Sequence, residues 1–139
     1  MKWFRNILAV LLGFIAGAIV NSSIVTLGNS LYPVEGLDGN DFDALAIAIR
    51  DYEPIQFLFP FLAHAIGTFV GALITALIAA SHGRLLAIVI GILFLFGGIT
   101  MVVLVGGPLW FIMLDLVLAY LPMAYLGYYI AIQIRGKSS

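Results

Sequence analysis

The stretch FLFPFLAHAIGTFVGALITALIAASH, residues 57–82, decides the fold of this chain. It is apolar almost throughout, and His64 is its only ionisable residue before the closing His82. At 1.5 Å per residue, about 20 apolar residues cross the roughly 30 Å hydrocarbon core of a bilayer. The stretch therefore predicts a membrane-spanning helix, with expected bounds of about residues 54–81.

Three other apolar stretches have similar length, and they predict helices at about residues 6–28, 84–105 and 109–133. Of the 139 residues, 63% are hydrophobic and only 9% are charged, whereas about a quarter of the residues are charged in soluble domains. The chain is therefore predicted to be all-α, a four-transmembrane-helix antiparallel bundle. We expect residues 1–139 to form a single membrane domain surrounded by the lipid bilayer.

The polar segment at residues 30–53 connects the first two predicted helices. Asp41 can cap a short amphipathic helix that ends near Tyr52, and the apolar residues of that helix share one face: Phe42, Leu45, Ile49 and Tyr52. A helix that floats on lipid is expected to carry basic residues on its polar face, and this one has only Arg50. We therefore predict that it covers the outer mouth of the bundle, with Asp51 and Glu53 at that mouth.

Several classes of protein are excluded by composition. The chain has no cysteine, which excludes disulfides and thiolate chemistry, and its net charge of −1 gives no basic face for nucleic acid. The two histidines, His64 and His82, are separated by roughly 27 Å along one predicted helix and cannot share an ion. We therefore expect neither a metal site nor another cofactor.

Ionisable residues inside a membrane are costly to bury, and they mark functional sites by default. Two are present, His64 and Asp115. Counted from the outer ends of their helices, His64 lies roughly 10 to 15 Å and Asp115 roughly 9 to 10 Å below the outer surface, so they are expected at nearly the same depth. Other polar residues are predicted at a similar depth, so that all four helices contribute to one polar layer: Asn21, Ser22, Ser23, Thr68 and Thr100.

A purely structural reading of this layer stays open, in which His64 pairs with Asp115 and the other polar groups satisfy the remaining hydrogen bonds. Small residues on the first two helices predict close helix packing, because glycine lets two backbones approach each other. The glycines concerned are Gly13, Gly17, Gly67 and Gly71.

Two strings, FLFPFLAHAIGTFVGA (57–72) and DLVLAYLPMAYLG (115–127), together with the polar end of the first helix, resemble a group of small bacterial four-helix integral membrane proteins. The resemblance implies fold and membrane location, and it transfers no activity and no site. The basic residues other than Arg50 fall on one side of the alternating helices. By the positive-inside rule, both termini are then expected in the cytoplasm of a bacterium, with the bundle in its cytoplasmic membrane.

Three functions are consistent with these features. The first is a non-enzymatic membrane protein that binds or passes a small solute or a proton through the polar layer, with His64 and Asp115 as the titrating pair. Passage is expected to require a homo-oligomer built on the glycine faces. The second is an accessory or scaffold subunit that docks on a larger membrane complex, and the third is a membrane-embedded enzyme acting on lipid.

Overall fold

The computed structural model describes residues 1–38 and 40–137, and all of its regular elements are helical. The α-helices are α1 (Lys2–Leu31), α2 (Phe42–Ala48), α3 (Leu58–Ile78), α4 (Gly83–Leu104), α5 (Leu109–Leu118) and α6 (Leu121–Lys137). Short 3₁₀ helices, Ile49–Asp51 and Pro54–Phe57, follow α2 and precede α3.

Four helical segments in the described residues are long and apolar enough to cross a membrane: Lys2–Leu31, Pro54–Ile78, Gly83–Leu104 and Leu109–Gly136. The predicted all-α, four-helix membrane bundle is therefore confirmed. We call the end of the bundle that carries residues 32–53 the loop end. The opposite end, where α1 begins and α6 ends, is the terminal end.

The contact between α1 and α3 is made backbone to backbone. A Cβ atom on Gly67 would lie 2.9 Å from the carbonyl oxygen of Gly17, and one on Gly71 would lie 2.9 Å from that of Gly13. These are the four glycines for which the sequence predicts helix packing. They face each other inside the bundle, so they offer no outward surface to a second chain.

Two arginines fasten the ends of α1 and α6 to the last turn of α3 at the terminal end. Arg5 Nε donates to the carbonyl oxygen of Ile78 at 2.6 Å, and Arg135 Nη1 donates to those of Ala76 and Ala79 at 3.2 and 3.3 Å. Carbonyls in the last turn of a helix have no partner within the helix, and cationic side chains are well suited to satisfy them.

The third helix ends earlier than the sequence predicts, at Ile78 rather than near residue 81. Asn6 of α1 accounts for the difference, because its Oδ1 accepts hydrogen bonds from the backbone N–H groups of Ala80 and Ser81 at 2.9 and 3.3 Å. A side chain of another helix thus provides the partner that a further helical turn would have supplied, and the chain turns towards α4.

The fourth membrane segment is not the single helix that the sequence predicts. It is broken between Leu118, where α5 ends, and Leu121, where α6 begins. Pro122 supplies the reason, because it has no N–H to donate to the carbonyl of Leu118 and its ring clashes with that carbonyl in a regular helix. The break leaves Tyr120 fully buried between the two halves.

Candidate functional site

The two ionisable residues predicted to lie within the membrane, His64 and Asp115, are in direct contact. His64 of α3 and Asp115 of α5 come together so that Nδ1 of the imidazole lies 2.9 Å from Oδ1 and 3.0 Å from Oδ2 of the carboxylate. Asp115 is only 2% exposed, and 19% of the His64 side chain is exposed. The pair is therefore buried on the carboxylate side and accessible on the imidazole side.

A third side chain, Tyr120, completes this cluster. Its hydroxyl donates to Asp115 Oδ2 at 2.8 Å, and its ring stacks on the imidazole of His64 with 5.6 Å between the centroids. In an unbroken helix, residues five apart point in different directions, since each residue turns about 100°. The break before Pro122 brings Tyr120 to Asp115. The role of Tyr120 was not predicted from the sequence, where its one signal is its place two positions before a proline.

Gly98 of α4 makes room for the tyrosine. A Cβ atom at this position would collide with the Tyr120 hydroxyl, and the ring carbons next to it are also too close for a side chain. The neighbouring Gly97 has nothing within 4 Å of its own Cβ position. Only the second glycine of the pair is therefore required by the site.

The contacts of Asp115 determine which groups of the cluster donate. An ionised carboxylate can only accept hydrogen bonds, so in that form Asp115 accepts one from His64 Nδ1–H and another from the Tyr120 hydroxyl. In the neutral imidazole, Nε2 is then left with a lone pair. Nε2 has no hydrogen-bond partner in the described part of the chain.

A cavity of about 210 Å³ extends from the loop end to this cluster. On α3, α4 and α5, the lining residues farthest from the loop end are His64, Gly98 and Asp115, which form its floor. The side walls come from α1 and from the three helices of the floor. A cavity of about 150 Å³ is already large enough to bind benzene, so the present one accepts a single ring with a short substituent.

The roof of the cavity is the amphipathic helix. All four residues of its apolar face line the cavity: Phe42, Leu45, Ile49 and Tyr52. The capping role predicted for Asp41 is also present, since its Oδ1 accepts from the N–H of Ala44 at 3.0 Å. The prediction that this helix covers the mouth of the bundle, with its apolar face turned inward, is confirmed.

Aromatic contacts fix the end of the roof to the bundle. The Tyr52 ring lies 5.7 Å from that of Phe57, which in turn lies 4.8 Å from the ring of Phe111. Burial raises the pKa of the Tyr52 phenol above its ordinary value, so this side chain stays neutral at physiological pH. Asp51 and Glu53 are exposed at the loop end and do not line the cavity.

Two other residues of the predicted polar layer, Asn21 and Thr68, face the interior of the bundle but are not part of the cavity wall. Asn21 Oδ1 and Thr68 Oγ1 are buried and have no hydrogen-bond partner among the residues that the structure describes. Asn21 packs beside Gly67, its Cβ 3.0 Å from the Cβ position of that glycine, and Thr68 follows His64 by one turn of α3. Asn21 therefore belongs to the α1–α3 contact, and neither residue lines the cavity.

The remaining members of the layer, Ser22, Ser23 and Thr100, are exposed on the outside of the bundle, contrary to the prediction. Ser23 donates to the carbonyl of Ile19 and Thr100 to that of Phe96, each at 2.8 Å within its own helix. The error has a physical cause: counting residues gives the depth of a side chain, but the packed face of the helix determines its direction. A hydroxyl that bonds its own backbone needs no neighbouring helix.

No known protein family, no curated protein and no solved structure matches this chain. Within residues 1–38 and 40–137, no three side chains of the types His, Asp and Glu are grouped so that they could hold a metal ion. A proposal for the function therefore rests on the His64–Asp115–Tyr120 cluster and on the cavity above it.

The two buried threonines of α3, Thr68 and Thr75, allow a matched comparison of how a hydroxyl contributes to stability. Thr75 Oγ1 donates to the carbonyl of Ala9 at 3.2 Å, whereas Thr68 Oγ1 has no partner. We expect Thr75→Val to lower the free energy of unfolding by about 0.6 kcal/mol or more, as for other interhelical hydrogen bonds in membranes. Thr68→Val should leave it unchanged or raise it. Unfolding of both variants in lipid nanodiscs tests this, and a larger loss for Thr68→Val would contradict it.

The adjacent glycines of α4 provide a second matched pair. Gly98→Ala should push the Tyr120 ring away from Asp115 and cost about 1 to 3 kcal/mol, the usual range for overpacking a well-packed site. Gly97→Ala should cost nothing, because its Cβ meets open space. Thermal unfolding followed by circular dichroism distinguishes the two variants, and equal midpoints would show that the Tyr120 position does not depend on Gly98.

Proposed function

We propose that this multi-pass membrane protein binds a small molecule in the cavity beneath α2, with the His64–Asp115 pair as its polar anchor. The observation that carries the proposal is the cavity itself, which leads under an apolar roof to a buried ionisable pair. Ligand sites are typically concave and mostly apolar, with a few polar groups that fix the orientation of the ligand.

Packing beyond the pair favours binding over passage of a solute. Towards the terminal end, the His64–Asp115 pair is backed by the fully buried Ala119 and Tyr120 and by the buried Ala65. Farther along, α1 and α3 are in backbone contact at Gly13 and Gly71. This packing on the terminal side of the pair favours a site that is closed at its floor over a passage for a molecule of the size that fits the cavity.

The arrangement of charges supports an orientation. The exposed acidic residues cluster at the loop end, and among the described side chains the basic residues other than Arg50 lie near the terminal end. By the positive-inside rule, the termini then lie in the cytoplasm and the cavity opens to the outside. With the resemblance to small bacterial membrane proteins, this supports a place in the cytoplasmic membrane of a bacterium.

The two alternative functions have less support. A scaffold that docks through its glycines requires them on the surface, and Gly13, Gly17, Gly67 and Gly71 are occupied by the α1–α3 contact. An enzyme can use His64 as a general base, held by Asp115 as in other carboxylate–histidine pairs. However, the described lining of the cavity contains no serine or threonine as a nucleophile, so reversible binding is the better proposal.

Accessibility of the cavity from water is tested by cysteine labelling, for which a chain without natural cysteine is well suited. Val102 of α4 lines the cavity, and the next residue, Val103, is 78% exposed on the outside of the bundle. In proteoliposomes, the water-soluble reagent hydroxyethyl methanethiosulfonate should modify Val102→Cys at least tenfold faster than Val103→Cys. A thiol that faces hydrocarbon forms little of the reactive thiolate.

The roof serves as an internal control for this experiment. Replacement of Leu45, which lines the cavity, by Trp in the Val102→Cys background should slow labelling, because the larger side chain fills the cavity. Replacement of Ile47 by Trp should not slow labelling, because Ile47 is 66% exposed on the opposite face of α2. Labelling of Val102→Cys as slow as that of Val103→Cys would overturn the proposed function.

A further inference from the structure

We infer that the ligand of this cavity is a small organic monocation, an ammonium group on one apolar body no larger than a single substituted ring. The ammonium donates a hydrogen bond to His64 Nε2 and lies against the negative charge of Asp115. This inference rests on the proposed binding function and adds the chemical class of the ligand. The floor, the walls and the rim of the cavity each supply an independent reason.

The floor presents acceptors to the ligand. His64 Nδ1–H donates its hydrogen bond to Asp115. In the neutral ring, Nε2 is then free to accept a hydrogen bond from a ligand. The Tyr120 hydroxyl donates to Asp115 and is not available to a ligand. Neither donor to Asp115 brings a full positive charge when the imidazole is neutral. A ligand that donates a hydrogen bond and carries one positive charge therefore complements the floor.

The walls favour a cation with an apolar body. Six aromatic rings line the cavity: those of Tyr32, Phe42, Tyr52, Phe57, Phe59 and Phe111. The faces of aromatic rings carry partial negative charge, and cages of such rings bind ammonium groups, most strongly away from water. The wall also contains Asn29 and Gln56, which are neutral amides. No Lys or Arg side chain is among the described lining residues.

The rim of the cavity has the same sign of charge as its floor. Exposed acids follow one another through the connection at the loop end: Glu35, Asp38, Asp41, Asp43, Asp51 and Glu53. Arg50 is the only basic residue of that connection. A surface of one sign raises the local concentration of the opposite ion and steers it towards the opening. Anions are repelled at the same place.

Three probes of similar shape separate charge from size. Benzylammonium, benzyl alcohol and benzoate each carry one ring, and they differ in being positive, neutral and negative. Each is added at increasing concentration while the Val102→Cys protein is labelled with hydroxyethyl methanethiosulfonate. Vesicles of phosphatidylcholine are used, because a membrane without net charge does not concentrate the cation at its surface.

We expect benzylammonium to protect the thiol at concentrations at least tenfold lower than benzyl alcohol, and benzoate to give no protection. Equal protection by benzyl alcohol would overturn the inference of a cation and leave the proposed binding function standing. Protection by none of the probes would also overturn the inference. Failure of the thiol to react before any probe is added would instead overturn the proposed function.

A pair of variants locates the charge that the cation recognises. Asp115→Asn keeps the shape of the floor and removes its charge, and it should abolish the preference for benzylammonium over benzyl alcohol. Asp51→Asn removes the same charge from the exposed rim, and it should reduce the preference less than threefold. A preference that survives in Asp115→Asn would overturn the role of this carboxylate. If Asp115→Asn does not fold, the comparison of the three probes on the Val102→Cys protein remains decisive.

Discussion

The constraint on which the rest of the site depends is the burial of one carboxylate in a bundle that spans the membrane. An unpaired ion costs several kcal/mol in such surroundings, so Asp115 requires hydrogen-bond donors from its neighbours. His64 reaches it from α3, and Tyr120 reaches it from beyond the break in the fourth membrane segment. The break at Pro122 and the missing side chain of Gly98 are both needed for this arrangement.

The bundle divides into a closely packed half and an open half. Glycines bring α1 and α3 into backbone contact, and arginines satisfy the last carbonyls of α3 at the terminal end. Towards the loop end, aromatic side chains line a cavity between the helices, and α2 covers it. The ionisable pair lies where these halves meet. The closely packed half therefore supports the polar floor, and a ligand reaches that floor from the loop end.

The sequence predicted the features that depend on composition and local spacing. Hydropathy predicted the four membrane segments, and the spacing of Phe42, Leu45, Ile49 and Tyr52 predicted the face that lines the cavity. Counting residues from the helix ends predicted that His64 and Asp115 lie at nearly the same depth, and in the structure they are in contact. Features that depend on helix rotation were not predictable: Ser22, Ser23 and Thr100 have the expected depth but face outward. Tyr120 was missed because its position follows from the helix break.

The tautomer of His64 in a bilayer tests the central claim most directly, because the acceptor that the floor offers to a ligand depends on it. His82 is exposed at the far end in a left-handed conformation that asparagine tolerates, so His82→Asn leaves a single histidine for nitrogen-15 solid-state NMR. In the neutral ring, the proton is expected on Nδ1 and the lone pair on Nε2. A neutral ring with its proton on Nε2 would contradict this assignment.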